Sequence, residues 1–249
     1  NAAFSSVFTN ESDPVETELV SVNLPEMPPF NIGFNGILSL IEKMKLSSSA
    51  GTDEITCKLL KNTKHISAEF LFLLFSQSLS SGILPLDWKC GKVIPVHKTG
   101  KRDCPLNYRP ISLTSVCCKL MEHVIYTHVM HFLNSNNFFH SSQHGFRKGR
   151  SCETQLALFL CDLHANLDGK LQTDATFLDF TKAFDKVSHQ RLLKKLSQIN
   201  LPAELLNWIA QFLTNRSQFV FVNNVKSNSL PVRSGVPQGS VLGLLLFLI

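Results

Sequence analysis

The run Ala175-Thr176-Phe177-Leu178-Asp179-Phe180 places a carboxylate at the end of a compact apolar stretch. Its length, and its lack of polar alternation amid segments of helical spacing, read as a central strand covered on both faces. An acid in such a place is costly to bury unless it is paired, hydrogen-bonded or bound to a cation. A capping or salt-bridged aspartate would satisfy the same pattern, so Asp179 alone does not decide between structure and chemistry.

The rest of the chain supplies the frame for that strand. Residues 1 to about 31 mix Ser, Asn, Glu and Pro without a sustained period and read as a linker or docking arm. Ile37, Leu40, Ile41 and Met44 recur at helical spacing, and Ser47 to Gly51 break it. Thr52, with Asp53 and Glu54 in a first turn, suits a helix N-cap. Ile66 to Ser80 reads as a long buried helix closed by Gly82, with Pro85 beyond it. Trp88 to Val96 is β-like, 95–110 is a loop rich in Pro and Lys, and helices are expected at 115–133, 153–167, 192–199 and 202–213. Pro202 suits the first turn of the last of these, where its missing N–H would have no partner anyway. Phe219 to Val222, Asn223-Asn224 and Val225 read as a strand, tight turn and returning strand. Long helices with a few hairpin strands give an α+β class.

Charge narrows the function. The net charge of +5 hides an asymmetry: residues 1–42 hold six acids and no Lys or Arg, so the remainder carries +11. Residues 89–150 alone hold ten bases against Asp103 and Glu122. Such a segment suits a polyanion, because each base that neutralises a phosphate releases condensed counterions; a solvated basic surface would have the same composition. Seven cysteines without a CxxC pair argue against a secreted disulfide scaffold and for a reducing compartment. The longest apolar runs fall short of the roughly 20 residues needed to span a membrane. Cys90, His97 and Cys104 lack zinc spacing and a clear fourth ligand, and His123, His128 and His131 do not share a helical face. The chain starts without Met and stops within Val241 to Ile249, so both ends read as cuts in a longer protein.

Four blocks stand in order. Leu106-Asn107-Tyr108-Arg109-Pro110-Ile111-Ser112-Leu113 is followed by Lys119-Leu120-Met121-Glu122. Next comes Gln143-His144-Gly145-Phe146-Arg147-Lys148-Gly149-Arg150-Ser151. The third, Phe177 to Val187, contains Asp179, Phe184 and Asp185. The fourth, Ser234-Gly235-Val236-Pro237-Gln238-Gly239-Ser240-Val241-Leu242-Gly243, is a Gly/Pro turn that delivers Gln238 and backbone N–H groups at a helix start; a helix entry capped by Ser240 is its plainer reading. Over roughly 51–249 the chain closely resembles the reverse transcriptases of non-long-terminal-repeat (LINE-like) retrotransposons. The opening Ala3-Phe4-Ser5-Ser6-Val7-Phe8-Thr9 is similar to the stretch such proteins carry between an endonuclease and the polymerase.

That resemblance implies a right-hand polymerase: a linker or docking arm at 1–51, fingers at 52–170 and a partial palm at 171–249. It implies that Asp179, helped by the Phe180 carbonyl, binds the divalent metals of a two-metal nucleotidyl transfer, magnesium with manganese as the alternative. Phe184 matches the family's steric gate against a 2′-hydroxyl, although packing in a palm core is its ordinary role. Gln238 and Gly239 match the loop under the nascent base pair. Arg147 matches a triphosphate grip, which the planar guanidinium suits. Arg109, Lys148 and Arg150 match basic fingers positions that bind nucleic acid. Asp185 reads as a structural hydrogen-bonding residue. The implied partners are an RNA template, a DNA primer or nicked target DNA, and deoxynucleoside triphosphates, with no membrane and with an endonuclease upstream in the parent. The parent would act inside the cell, in the nucleus. Two departures stand out: Leu244 where the family has Pro, and Cys152 where Thr or Ser is usual. No Asp-Asp pair occurs in the 249 residues, so the expected fragment is truncated before the Asp-Asp hairpin and thumb and cannot polymerise alone. The alternative is a non-catalytic nucleic-acid-binding remnant of a decayed element.

Overall fold

The computed structural model describes residues 1–9 and 24–249. The central part of the expected docking arm, 10–23, lies outside the described residues. The near part does dock. A one-turn helix, α1 (Ala2–Ser5), buries Phe4, and the Asn1 side-chain amide donates to the Gln218 carbonyl at 3.0 Å and to the Asn228 carbonyl at 2.8 Å. Leu24, Met27 and Ile32 are also buried.

The helices that follow, α2 (Phe34–Lys43), α3 (Cys57–Asn62) and α4 (Lys64–Ser81), surround a common apolar cluster. Thr52 is not the helix cap expected of it. Its hydroxyl donates to the Asp87 carbonyl at 3.3 Å, while the Asp53 carboxylate accepts from the Ile55 N–H at 3.3 Å, a local side-chain turn that competes with helix. Thr56 caps α3 instead, accepting from the Leu59 N–H at 3.1 Å. Helix α4 ends where Gly82 takes a left-handed φ of +67°, as its sequence requires.

A 3-10 turn at Leu86–Lys89 leads into β1 (Cys90–His97), which pairs antiparallel with β2 (Tyr108–Leu113). The second strand was expected to be loop. Its Pro110 sits on the edge of the sheet, where a missing N–H is tolerated. Helix α5 (Val116–Ser135), 20 residues and so about 30 Å long, starts directly after β2 with Ser115 as its cap. It contributes twelve buried residues and forms the spine of the core.

Helix α6 (Cys152–Asp168) has a capping box between Ser151 and Thr154, yet none of its residues is buried. Beyond it, 171–180 carries no strand, which corrects the reading of Ala175–Phe180. A strand with apolar residues on both faces needs neighbours to pair with and cover it, and among the described residues no strand pairs with this segment. Helices α7 (His189–Ser197) and α8 (Ala203–Leu213) return to the core. Trp208 is fully buried, stacks on Phe212 with centroids 5.5 Å apart, and donates from its indole to the Ser78 hydroxyl of α4 at 3.0 Å. The expected fingers and palm segments therefore share one continuous core.

Strand β3 (Arg216–Val222) lies parallel to β1, completes the expected hairpin with β4 (Val225–Lys226) across Asn223-Asn224, and also pairs with β5 (Leu230–Val232). The spatial order is β2-β1-β3-β4, with β5 attached to β3. A last helix, α9 (Leu242–Leu248), buries Leu242, Leu245 and Leu246 against this frame. The α+β class follows from these elements.

Candidate nucleotide and nucleic-acid site

The turn 234–241 joins three of the four sequence blocks through backbone bonds. Gly235 adopts φ +89°, its N–H donates to the Val187 carbonyl at 2.7 Å, and a Cβ built on it would stand 2.7 Å from the Phe184 oxygen. Only glycine meets both demands. The Val236 N–H donates to the Phe184 carbonyl at 2.9 Å, and the Ser234 hydroxyl donates to the Asp185 carbonyl at 2.7 Å. On the far side of the turn, the Ser112 N–H of β2 donates to the Gln238 carbonyl at 2.8 Å. Gly239, at φ +105°, packs so close to Ser112 that a Cβ would meet its carbonyl oxygen at 2.7 Å. The Ser240 hydroxyl accepts from the Gly243 N–H at 3.0 Å, so the plain helix-capping reading of Ser240 holds alongside.

The fourth block joins through aromatic rings. Phe184 stacks on Phe247 of α9 with centroids 4.5 Å apart, and Phe146 meets Phe184 edge-on at 5.9 Å. Phe184, Gln238 and Gly239, all named from the sequence, therefore belong to one neighbourhood. The Gln238 side-chain oxygen is buried without a protein donor, and the residue lines a cavity of about 30 Å³ with Ser112, Asp185, Arg216 and Gln218. That volume suits a single water.

The basic residues lie elsewhere. Arg109 is exposed on the edge strand β2, opposite Val96. Arg147 donates to the His140 carbonyl at 3.3 Å and the Asn134 side chain at 3.2 Å, and its guanidinium lies over the Phe139 ring. Arg150 donates to the Ser141 carbonyl, and Lys148 is exposed. Asp179 is exposed in the strandless segment, beside Phe180 at 78% exposure. Asp185 is buried, and burial pushes its carboxyl above the ordinary range against the pull of Lys182. Its part in the turn is played by its main-chain carbonyl.

Residues 96–249 match the family described as reverse transcriptase (RNA-dependent DNA polymerase). The chain belongs to the reverse transcriptase family. It is 33% identical over 94% of its length to the "Probable RNA-directed DNA polymerase from transposon BS" of Drosophila melanogaster, covering 26% of that protein. Against the RNA-directed DNA polymerase from mobile element jockey of the same fly it is 31% identical, over 94% of the chain and 25% of the relative. The chain thus spans about a quarter of the length of these curated relatives. Reverse transcriptases use divalent metal. Among the described residues no three His, Cys, Asp or Glu side chains gather where an ion could be held, so those residues do not by themselves fit a pair of metals. Nor is any described helix long and apolar enough to cross a membrane.

Three features of this reverse transcriptase site escape a reading by motif. His189 is buried and bonds the Gly235 carbonyl through Nε2 at 2.7 Å. Arg216 is buried beneath the turn, donating to the Phe212 carbonyl at 2.9 Å. Glu122, fully buried on α5, accepts from the N–H groups of Val241 at 2.6 Å and Leu242 at 3.0 Å. A signal for the last existed: Glu122 is an acid at helical spacing from Cys118 and Ile125, positions the helix buries.

Proposed function

We propose that this chain supplies the fingers, residues 52–170, and part of the palm, residues 171–249, of an RNA-directed DNA polymerase from a non-long-terminal-repeat retrotransposon, with 1–51 as its docking arm. The observation that carries the reading is the Ser234–Val241 turn, which Ser112, Phe184, Asp185 and Val187 hold through hydrogen bonds. In this reading the turn supports the nascent base pair through Gln238 and Gly239. Phe184 limits space at the sugar, and Arg147 contacts the triphosphate. Arg109, Lys148 and Arg150 follow the nucleic-acid backbone, where each basic side chain adds a salt-sensitive contribution to affinity. The substrates are deoxynucleoside triphosphates on an RNA template, with a DNA primer or nicked target DNA. Asp179 and the Phe180 carbonyl contribute to a magnesium or manganese centre whose remaining acids come from outside these 249 residues. The parent protein works in the nucleus and carries an endonuclease upstream.

The test is binding and extension by the purified chain. A fluorescent RNA template–DNA primer should bind with an affinity that falls steeply with salt, and changing Arg109, Lys148 and Arg150 together to Ala should flatten that salt dependence. Primer extension should be absent with magnesium or manganese. Extension by the chain alone would overturn the dependence on outside acids; salt-insensitive or absent binding would overturn the polymerase reading.

A further inference from the structure

We propose that Glu122 is a positioning residue that sets the height of the Gln238–Gly239 loop for nucleotide binding, an inference that rests on the polymerase reading above. Its carboxylate is fully buried, and one oxygen accepts both N–H groups at the entry to α9, from Val241 at 2.6 Å and Leu242 at 3.0 Å. The other oxygen accepts from the Cys118 thiol at 3.7 Å. These are the amides that follow the turn, three and four residues after Gln238. Two orphan donors at a helix start are thereby satisfied, by an ionisable group from a distant helix rather than by a local cap.

The sequence of attachment points explains why this is more than helix capping. The Gln238 carbonyl is bonded to Ser112 at the end of β2, and α5 begins only three residues later, at Val116. Ser112 and Glu122 therefore belong to one rigid strand–helix unit, and that unit grips the loop on both sides of Gly239. Gly239 itself, in a left-handed conformation against the Ser112 carbonyl, contributes no side chain to resist displacement. Without Glu122 the loop would keep its anchors at Phe184, Val187 and Ser112 but lose the one that fixes its exit. The charges that face the carboxylate are Arg216 on β3 and Lys119 on α5, with the Cys118 thiol beside it; none lies within ion-pair distance. The carboxylate is thus held chiefly by the two amides it holds.

The experiment compares the 249-residue chain with Glu122→Gln, Glu122→Ala and Val241→Pro. The last deletes one donated N–H at a position whose φ of −79° proline accepts, and it keeps the test open if Glu122→Ala does not fold. Two quantities are read: hydrogen–deuterium exchange of the Val241 and Leu242 amides, and the dissociation constant of a complementary deoxynucleoside triphosphate with magnesium on a bound template–primer. Glu122→Ala and Val241→Pro should speed exchange at Leu242 about ten-fold and weaken nucleotide binding about ten-fold, with template–primer affinity changed less than about two-fold. Glu122→Gln retains an acceptor and should stay within about three-fold on both measures. Unchanged exchange in the variants overturns the proposal. So does faster exchange with nucleotide affinity intact, since the residue would then be structural only. A wild-type chain that binds no nucleotide overturns the polymerase reading instead, and exchange alone then decides whether Glu122 anchors the loop.

Discussion

The turn at 234–242 and the segment at 171–180 both carry family motifs, yet their surroundings differ completely. The turn is pinned by Ser112, Glu122, Phe184, Val187 and His189, with glycines placed where a side chain would collide. The segment holding Asp179 has Phe177, Leu178 and Phe180 at 83%, 89% and 78% exposure, and the preceding α6 buries nothing. The difference lies in where the partners come from. A turn is fixed by bonds to elements present in the same core, whereas a two-sided central strand acquires order only from strands beside it and layers above and below. Metal-binding chemistry placed on such a strand is therefore conditional on its neighbours.

If the core and the strandless segment differ as described, truncating a large side chain should separate them sharply. Trp208→Ala removes a fully buried indole that stacks on Phe212 and bonds Ser78, leaving a cavity and an unpaired hydroxyl. Urea denaturation should show a loss of about 3–5 kcal/mol. A loss below ~1 kcal/mol would mean that α8 is not locked to α4 in solution.

The turn should respond nearly as strongly through its backbone. Gly235→Ala must adopt φ +89° and place a Cβ 2.7 Å from the Phe184 oxygen. Strain and overlap together should cost about 2–4 kcal/mol in the same denaturation assay. Gly33→Ala is the control, because nothing lies within 4 Å of the added carbon and its φ is negative.

Acidity gives a subtler handle on the turn. Burial raises the Glu122 carboxyl above its ordinary 4.5, against the pull of the two amides, Arg216 and Lys119. The native state therefore keeps a proton that the unfolded chain has already lost. Stability attributable to this group is full below pH 4.5 and falls as pH rises through the raised value. Subtracting the stability curve of Glu122→Gln from that of wild type should reveal this decline, since Asp185, raised in the same direction, is common to both. A flat difference between the two curves would mean that Glu122 titrates as an exposed acid does.

Much of this contrast was legible before any coordinates. Local rules located the helices from α2 to α8, the Gly82 stop and the Asn223-Asn224 hairpin, because spacing and caps act within a few residues. Motif order pointed to Phe184, Gln238 and Gly239, which the fold brings together. What escaped depends on distant partners: β2 reads as loop until β1 is beside it, and β5 until β3 is. Glu122 has no sequence-local sign of the amides 119 and 120 residues away. The strand at 175–180 was overread for the complementary reason, since its apolar pattern records a need for neighbours without supplying them.

Phe177→Ala tests that last statement with the smallest expected effect. The ring is 83% exposed and its described aromatic contact is an edge-on approach to Phe159, itself on the unburied helix α6. Removing a ring so placed forfeits little burial, so the stability of this chain should change by no more than about 0.5 kcal/mol. The same substitution in a longer chain that supplies strands beside 175–180 would strip a buried ring and should cost about 3 kcal/mol or more. Equal effects in the two chains would refute the idea that order here is conferred by neighbours. A large loss in the 249-residue chain would instead show that Phe177 is packed within it, and that Asp179 stands on a formed strand without outside help.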